Sequence, residues 1–152
     1  MTPYDEALAR AEEKGIMFFN NHQSKDTPAV GMKCNEDMAI FINEGAFDSD
    51  RARSFAVWHE IFHCEENAFY NERTDLISAI KLEKRVIKKT IQELVPFQTV
   101  IATYKDGIFD EYEQAEKWNI PQYRIKEVHE VYERLYPDKI NELKHHISEN
   151  FN

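Results

Sequence analysis

The pattern of apolar and polar residues divides the chain into an opening helix, a short stretch of strands and a long helical remainder. Residues 3–14 have apolar side chains at helical spacing, with Pro3 suited to a first turn and Gly15 to a C-cap. The runs that follow are short and bounded by polar residues, and they predict strands at residues 16–20, 29–34 and 38–43. Because only three polar residues separate the last two runs, we expect a hairpin within a small antiparallel sheet.

Helical spacing governs the rest of the sequence. A helix is predicted from about residue 51 to 66, and a longer one from about 75 to 94, ended by Pro96. Further helices are predicted near residues 97–104, 110–118, 122–136 and 138–149. We therefore expect an α+β fold that is predominantly helical, with a core over residues 1–96 and a C-terminal helical segment over 97–152 packed on it.

The composition is that of a folded, acidic protein. Hydrophobic residues make up 42% of the 152 residues and charged residues 31%, which suits one folded unit better than a disordered chain. The net charge of −9 would repel a phosphate backbone, so we expect no direct binding of nucleic acid. Residues 112–136 have the outline of a helix-turn-helix motif, but between 110 and 136 seven acidic residues outnumber four basic ones, which disfavours DNA contact.

One segment concentrates positive charge at helical spacing; it contains Lys81, Lys84, Arg85, Lys88 and Lys89. We interpret it as a solvated helix face, with a docking surface for an acidic partner as the alternative.

Cysteine content and hydropathy indicate the compartment. Cys34 and Cys64 are far apart and form no CxxC pattern, so we expect free thiols rather than a disulfide or a thiolate zinc site. The N-terminus lacks the apolar region of a signal peptide, and no apolar run is long enough to cross a bilayer. We expect a cytoplasmic protein without a membrane partner.

Residues 59–63 read His-Glu-Ile-Phe-His, an HExxH sequence inside a predicted helix. Residues four apart lie one turn apart on the same face, so His59 and His63 can bind one Zn²⁺. Glu60 is rotated away from the ion and can reach water as general base. In the alternative interpretation, the sequence is accidental and both histidines are ordinary polar residues of a helix.

A catalytic zinc site needs a third protein ligand, and Glu83 is the candidate. It falls within an apolar stripe of the predicted helix over 75–94; the stripe comprises Leu76, Ile80, Ile87, Ile91 and Leu94. A carboxylate that faces a core is costly unless it is neutralised, paired or bound to a metal. A buried salt bridge, to the motif histidines or near Arg85, is the alternative to metal ligation.

With these residues, the chain resembles the ImmA/IrrE-type metallopeptidases of phages and mobile elements. The resemblance covers about residues 5–136. It rests on HExxH and on Glu83, which precedes Leu94-Val95-Pro96 by the distance found in the family. The later motifs are Val100 to Gly107, Tyr112 to Glu116 and Val128 to Tyr132. The chain has Val86 where many members have Ala, and Phe62 where they usually have Gly.

The resemblance implies a zincin-like domain and a zinc-dependent endopeptidase that cleaves a helix-turn-helix repressor and so derepresses phage or mobile-element genes. The residues alone leave Mn²⁺ or Fe²⁺ open as the metal. A non-proteolytic, metal-stabilised module that sequesters or remodels a regulatory protein is the alternative function. Tyr104, Tyr112 and His129 are candidates for stabilising an oxyanion, although polar aromatic residues commonly serve in packing.

Overall fold

The computed structural model describes residues 1–151 and divides the chain into two compact units, residues 1–90 and residues from Ile91 onward. This division lies six residues before the boundary predicted between 96 and 97. The packing of the C-terminal segment on the core stays a prediction. The mostly helical α+β class is confirmed, since seven α-helices and three strands occur within residues 1–151.

The first unit contains the strands and the first helices. Its elements are α1 (Pro3–Glu13), β1 (Met17–Phe19), β2 (Ala29–Cys34), β3 (Asp37–Ile42), a 3-10 turn (Glu44–Ala46), α2 (Asp50–Glu65) and most of α3 (Leu76–Leu94). Each helix and strand lies within two residues of its predicted limits, because proline, glycine and N-cap residues mark the boundaries, whereas the 3-10 turn was not predicted. Thr2 and Ser49, for example, accept backbone N–H groups at the starts of α1 and α2.

The sheet has the order β1-β3-β2 and is mixed, where the sequence predicted an antiparallel sheet. β2 and β3 form the expected antiparallel hairpin, with Cys34 opposite Asp37 and Asn35 in the left-handed region at the turn. β1, however, pairs parallel to β3, with Met17 opposite Ala39. Turn residues specify the hairpin locally, whereas the partner of β1 is distant in sequence and leaves no local signal.

Helix α2 forms the centre of the first unit, between the sheet and α1. Its buried side chains include Phe55, Val57, Trp58, Ile61 and Phe62. Burying each large apolar side chain stabilises the fold by about 1.5–3 kcal/mol, so this helix is firmly anchored. The Trp58 indole donates to the Pro3 carbonyl at 3.0 Å, and Arg10 pairs with Glu65 at 2.8 Å.

The second unit is helical. It contains α4 (Phe97–Lys105), α5 (Glu111–Trp118), a 3-10 turn (Gln122–Arg124), α6 (Ile125–Leu135) and α7 (Pro137–Phe151). The helix predicted over 122–136 thus begins with a 3-10 turn. Buried hydrogen bonds join its elements: the Trp118 indole donates to the Thr103 hydroxyl at 2.8 Å, and the Tyr132 hydroxyl donates to the Val95 carbonyl at 2.5 Å. Within the described chain, no helix combines the length and apolar character that crossing a membrane requires.

Candidate metal centre

Helix α2 places the two motif histidines one turn apart on one face. Their Nε2 atoms lie 3.0 Å from each other, and the rings meet nearly edge to face with centroids 4.7 Å apart. His63 is buried and His59 is half-buried. The predicted convergence of the two imidazoles therefore occurs in the structure.

The end of α2 fixes the orientation of one imidazole. Asn67 takes the left-handed conformation, with φ of 51°, and the Ala68 N–H donates to the His63 carbonyl at 2.9 Å. Together with the bond from the Asn67 N–H to the Cys64 carbonyl, this is a Schellman motif. The Ala68 carbonyl in turn lies 2.6 Å from His63 Nδ1. Because a carbonyl only accepts, Nδ1 carries the proton, and Nε2 is the ring nitrogen that faces His59 and Glu83.

Glu83, from α3, meets both histidines. One carboxylate oxygen lies 3.2 Å from His59 Nε2 and the other lies 2.9 Å from His63 Nε2. This contact is common to the two interpretations of Glu83, as a metal ligand and as an ion-pair partner of the motif histidines. The structure thus brings together all three residues predicted to bind the metal.

The apolar stripe predicted for α3 holds in only part of the helix. At the start of α3, Leu76 and Ile80 are exposed, whereas Ile91 of the stripe is fully buried, as are Val86 and Thr90 outside it. Glu83 lies between these two parts as a half-buried residue. Its contact with the histidines, rather than a position in the core, makes it a candidate ligand.

Glu60 lies beside the histidines but makes a different contact. Its Oε2 atom accepts a hydrogen bond of 2.7 Å from the Gly31 N–H of β2. His59, Glu60 and His63 each offer a ligand atom within 4.8 Å of the others, so Glu60 is itself within reach of an ion. Glu83 is the better ligand, because both of its oxygens face imidazole nitrogens. Glu60 is then the candidate for proton transfer.

A close approach of β2 to α2 makes the Glu60 contact possible. A Cβ atom on Gly31 would lie 3.2 Å from Glu60 Oε2, 3.3 Å from the Glu60 carbonyl oxygen and 3.4 Å from Cys64 Sγ. These distances are shorter than ordinary van der Waals contacts to carbon, so glycine is the residue that fits without displacement. The sequence analysis missed Gly31; a lone glycine inside a predicted strand was the available signal.

Tyr70 is a second residue that sequence reasoning missed. Its hydroxyl donates to a Glu83 oxygen at 3.0 Å, and its ring lies 6.3 Å from the His63 ring, centroid to centroid. A hydrogen bond to a ligating carboxylate orients the ligand and is typical of metal sites. Tyr70 follows α2 in a segment without regular structure, where periodicity gives no signal.

The electrostatics separate the two glutamates. Burial is the largest influence on Glu60 and raises its pKa above the ordinary value, against the opposing effects of His59 and His63. Burial also acts to raise the pKa of Glu83, but hydrogen bonds to the same histidines outweigh it and lower that pKa. A carboxyl with a raised pKa suits acid–base work, and one with a lowered pKa suits a permanent ligand.

The geometry fits a tetrahedral metal ion. Two atoms bonded to one ion at about 2.0–2.1 Å lie about 3.3 Å apart when the ligands are tetrahedral. The two imidazole Nε2 atoms lie 3.0 Å apart, and Glu83 places one oxygen 3.2 Å from His59 Nε2 and its other oxygen 2.9 Å from His63 Nε2, so each separation is close to that value. The His59 Nδ1 atom is buried and has no hydrogen-bond partner among the described residues, so this ring lacks the anchor that His63 has.

The cleft at this site has a volume of about 400 Å³ and is open on one side. Its lining includes all four predicted site residues and part of β2; the strand contributes Ala29, Val30 and Gly31. β2 lies at the edge of the sheet, so its outer backbone groups border the cleft.

The remaining predicted candidates lie in the second unit. The Tyr104 hydroxyl bonds His129 Nδ1 at 2.5 Å, and His129 Nε2 bonds the Gln114 side-chain oxygen at 3.0 Å. This chain of hydrogen bonds gives Tyr104 and His129 a role in packing, and Tyr112 is exposed. Both predicted thiols are free; Cys34 is exposed, and burial raises the pKa of Cys64 to about 12.

Three comparisons with known proteins return no match. No protein-family model, no curated protein and no solved structure matches this chain. The resemblance to ImmA/IrrE-type metallopeptidases therefore stays a prediction, and the functional proposal depends on the geometry of the site.

Proposed function

We propose that this chain is a zinc-dependent endopeptidase of the cytoplasm. The observation that carries the proposal is the joint position of the three ligand candidates and Glu60. His59, His63 and Glu83 are in mutual contact, whereas Glu60, which follows His59 in α2, is held by a backbone N–H instead. A site that served structure alone would have no need of this second carboxylate.

In the proposed mechanism, His59, His63 and Glu83 hold the ion. The chemistry that a bound zinc ion supplies is the activation of water and the polarisation of the scissile carbonyl. The Ala68 carbonyl keeps His63 in the tautomer whose Nε2 is free, and Tyr70 orients the Glu83 carboxylate.

Glu60 moves the proton in this reaction. It takes a proton from the attacking water as the water oxygen adds to the carbonyl carbon, and it returns the proton to the amide nitrogen as the C–N bond breaks. The products are a carboxylic acid and an amine, which ionise to a carboxylate and an ammonium ion, so atoms and charge balance. The Gly31 N–H holds one Glu60 oxygen, which leaves the other free for the proton. Its raised pKa makes Glu60 a stronger base, which favours the step in which it takes the proton.

The cleft supports a peptide substrate in extended form. Its border includes residues of β2, an edge strand whose outer backbone groups can pair with an added strand. From the resemblance, we propose that the substrate is a helix-turn-helix repressor, cut to release phage or mobile-element genes. The chain itself is not proposed to contact nucleic acid.

Elemental analysis and a cleavage assay test the proposal. We would compare the wild type with Glu60→Gln, His63→Ala and Glu83→Ala, and use the exposed Glu72→Gln and His145→Ala as matched controls. Each protein is analysed for bound metal and incubated with the repressor encoded next to it, and fragments are identified by mass spectrometry. Elemental analysis also distinguishes Zn²⁺ from Mn²⁺ and Fe²⁺.

We expect about one zinc ion per chain in the wild type, in Glu60→Gln and in both controls, and its loss in the two ligand variants. Cleavage should fall about 10²- to 10⁴-fold in Glu60→Gln. Zinc retained in Glu83→Ala would place the third ligand elsewhere. Zinc and repressor binding without cleavage would favour the non-proteolytic module that sequesters its partner. Absence of bound metal in the wild type would mean that the HExxH sequence is accidental.

A further inference from the structure

The first turns of α3 expose three large aliphatic side chains. Leu76, Ile77 and Ile80 are 75%, 66% and 44% exposed, respectively. They lie at helical spacings of three and four, so they form one continuous surface, which we call the α3 patch. Covering each of them would be worth about 1.5–3 kcal/mol, so their exposure indicates a surface that another molecule covers.

Lysines continue the same rows of the helix. Lys81 follows Ile77 by four residues, and Lys84 follows Ile80 by four, so both lie directly beyond the α3 patch. Lys88 extends the row by one more turn. None of these three lysines forms an ion pair within residues 1–149, whose side chains are described.

The other two basic residues of the segment are different. Arg85 and Lys89 pair with Glu66, at 3.9 and 3.3 Å. Only Lys81, Lys84 and Lys88 thus keep an uncompensated charge, and this charge borders the apolar surface.

We propose that the α3 patch and these three lysines form the docking surface for an amphipathic, acidic segment of the protein substrate. This inference rests on the proposed function, because the surface adjoins the cleft. Ile80 precedes Glu83 by three residues, about 4.5 Å along the helix axis. A segment bound on the patch would therefore lie beside the site and deliver the adjoining chain to it.

Charge favours this occupant over two others. A symmetric contact between two copies would bring the lysines of both copies into one interface and so double its positive charge. An anionic lipid surface would attract the lysines, but it would repel a chain whose net charge is −9. An acidic segment with an apolar face satisfies the aliphatic side chains and the lysines together.

The test measures binding without cleavage. The probe is a fluorescein-labelled peptide of about 18 residues, or five helical turns, with leucine on one face and glutamate on the other. Fluorescence anisotropy is measured with the Glu60→Gln variant, so that the peptide is not cut. A peptide of the same composition in scrambled order, and one with lysine in place of glutamate, are the peptide controls.

Two variants remove the surface and one serves as their match. The variant Ile77→Ser/Ile80→Ser removes aliphatic side chains of the α3 patch. The charge-reversal variant Lys81→Glu/Lys84→Glu/Lys88→Glu removes the positive charge beside it. The control variant is Lys105→Glu/Lys117→Glu/Lys126→Glu. It reverses three exposed lysines of the second unit, and none of the three forms an ion pair within residues 1–149, whose side chains are described. All substituted side chains are exposed or half-buried, and circular dichroism verifies that each variant is folded.

We expect both surface variants to bind the acidic peptide about tenfold more weakly or worse, and the matched variant to bind it within about twofold of the parent. Equal affinities in all variants, or no preference for the acidic amphipathic peptide over its controls, would overturn the proposal. The proposal would also be overturned if the protein bound phosphatidylserine vesicles through the three lysines but did not bind the peptide. A concentration-dependent dimer abolished by Ile80→Ser in sedimentation would assign the surface to a second copy instead.

The same variants separate this proposal from the peptidase proposal. If the wild type cuts the repressor, the charge reversal should raise KM with little change in kcat and no loss of zinc. If docking depends on the surface but the wild type cuts nothing, the docking surface stands and the peptidase proposal fails. If cleavage is normal in both surface variants, the docking proposal fails alone.

Discussion

Replacing Gly31 by alanine tests how closely β2 must approach Glu60. The added Cβ would lie 3.2–3.4 Å from the Glu60 side chain, the Glu60 carbonyl and Cys64 Sγ. The last two belong to buried α2 and cannot move aside cheaply. Either the Glu60 carboxylate swings away, or the strand and helix separate by a few tenths of an ångström. Both changes disturb the bond between the Gly31 N–H and Glu60.

The expected magnitude combines two opposing effects. Overpacking of a core contact costs about 1–3 kcal/mol. Replacing glycine by alanine restricts the unfolded chain and stabilises the fold by about 0.4–1 kcal/mol, since the φ of Gly31 lies outside the positive range. The net loss of unfolding free energy should be about 0.5–2 kcal/mol. Because a displacement of 1 Å can cost about 10²-fold in rate, a few tenths of an ångström should slow cleavage about three- to tenfold.

Gly45→Ala is the matched control. Its Cβ would meet only the Asn43 side chain, at 3.8 Å, which is an ordinary contact. We expect this variant to be as stable as the wild type or more stable by up to about 1 kcal/mol, with unchanged cleavage. Guanidinium unfolding followed by circular dichroism gives the stability, and initial rates on the repressor give kcat/KM. Equal results for the two glycine variants would refute the close approach as a constraint on Glu60.

Three further predictions concern other contacts. Tyr70→Phe removes the hydrogen bond to Glu83 and should weaken zinc binding about three- to tenfold, measured by competition with a chromophoric chelator; unchanged affinity would contradict an orienting role. Thr103→Val leaves the buried Trp118 N–H without its acceptor and should lower the unfolding free energy by about 1–3 kcal/mol, whereas Thr103→Ser should not; equal losses would contradict this. Burial lowers the pKa of His129 in the folded chain, so the unfolded chain takes up a proton first as the pH falls. The unfolding free energy should therefore decrease below about pH 6.5, by at most about 1.4 kcal/mol per pH unit. Urea unfolding at several pH values should show a shallower decrease in His129→Gln, and parallel curves would contradict the assignment.

Local signals explain how much of this fold could be predicted. The limits of α1 and the start of α2 were readable because Pro3, Gly15 and the N-cap residue Ser49 act on neighbouring residues. The convergence of His59 and His63 was readable for the same reason, since helical periodicity alone puts them on one face. Features that depend on residues close together in the chain can be derived from the sequence.

Contacts between distant segments could not be derived. The parallel pairing of β1 with β3 depends on where the chain returns after residues 20–36, which include β2, and no turn motif encodes that return. The stripe predicted for α3 was wrong at the start of the helix, because Leu76 and Ile80 match the periodicity of a core face but are exposed. Tyr70 and Gly31 reach the site from irregular structure and from a strand, so only the folded chain reveals their contacts.

The helix end that holds His63 also predicts how the chain tolerates natural variation. Asn67 is not a ligand and carries no chemistry, yet its left-handed backbone brings the Ala68 carbonyl to the imidazole. In a deep mutational scan selected for zinc retention, position 67 should accept glycine and aspartate and reject valine and isoleucine. The substitutions tolerated at position 67 would be those that can adopt its backbone conformation, whereas those tolerated at His63 and Glu83 would be those that can bind the metal.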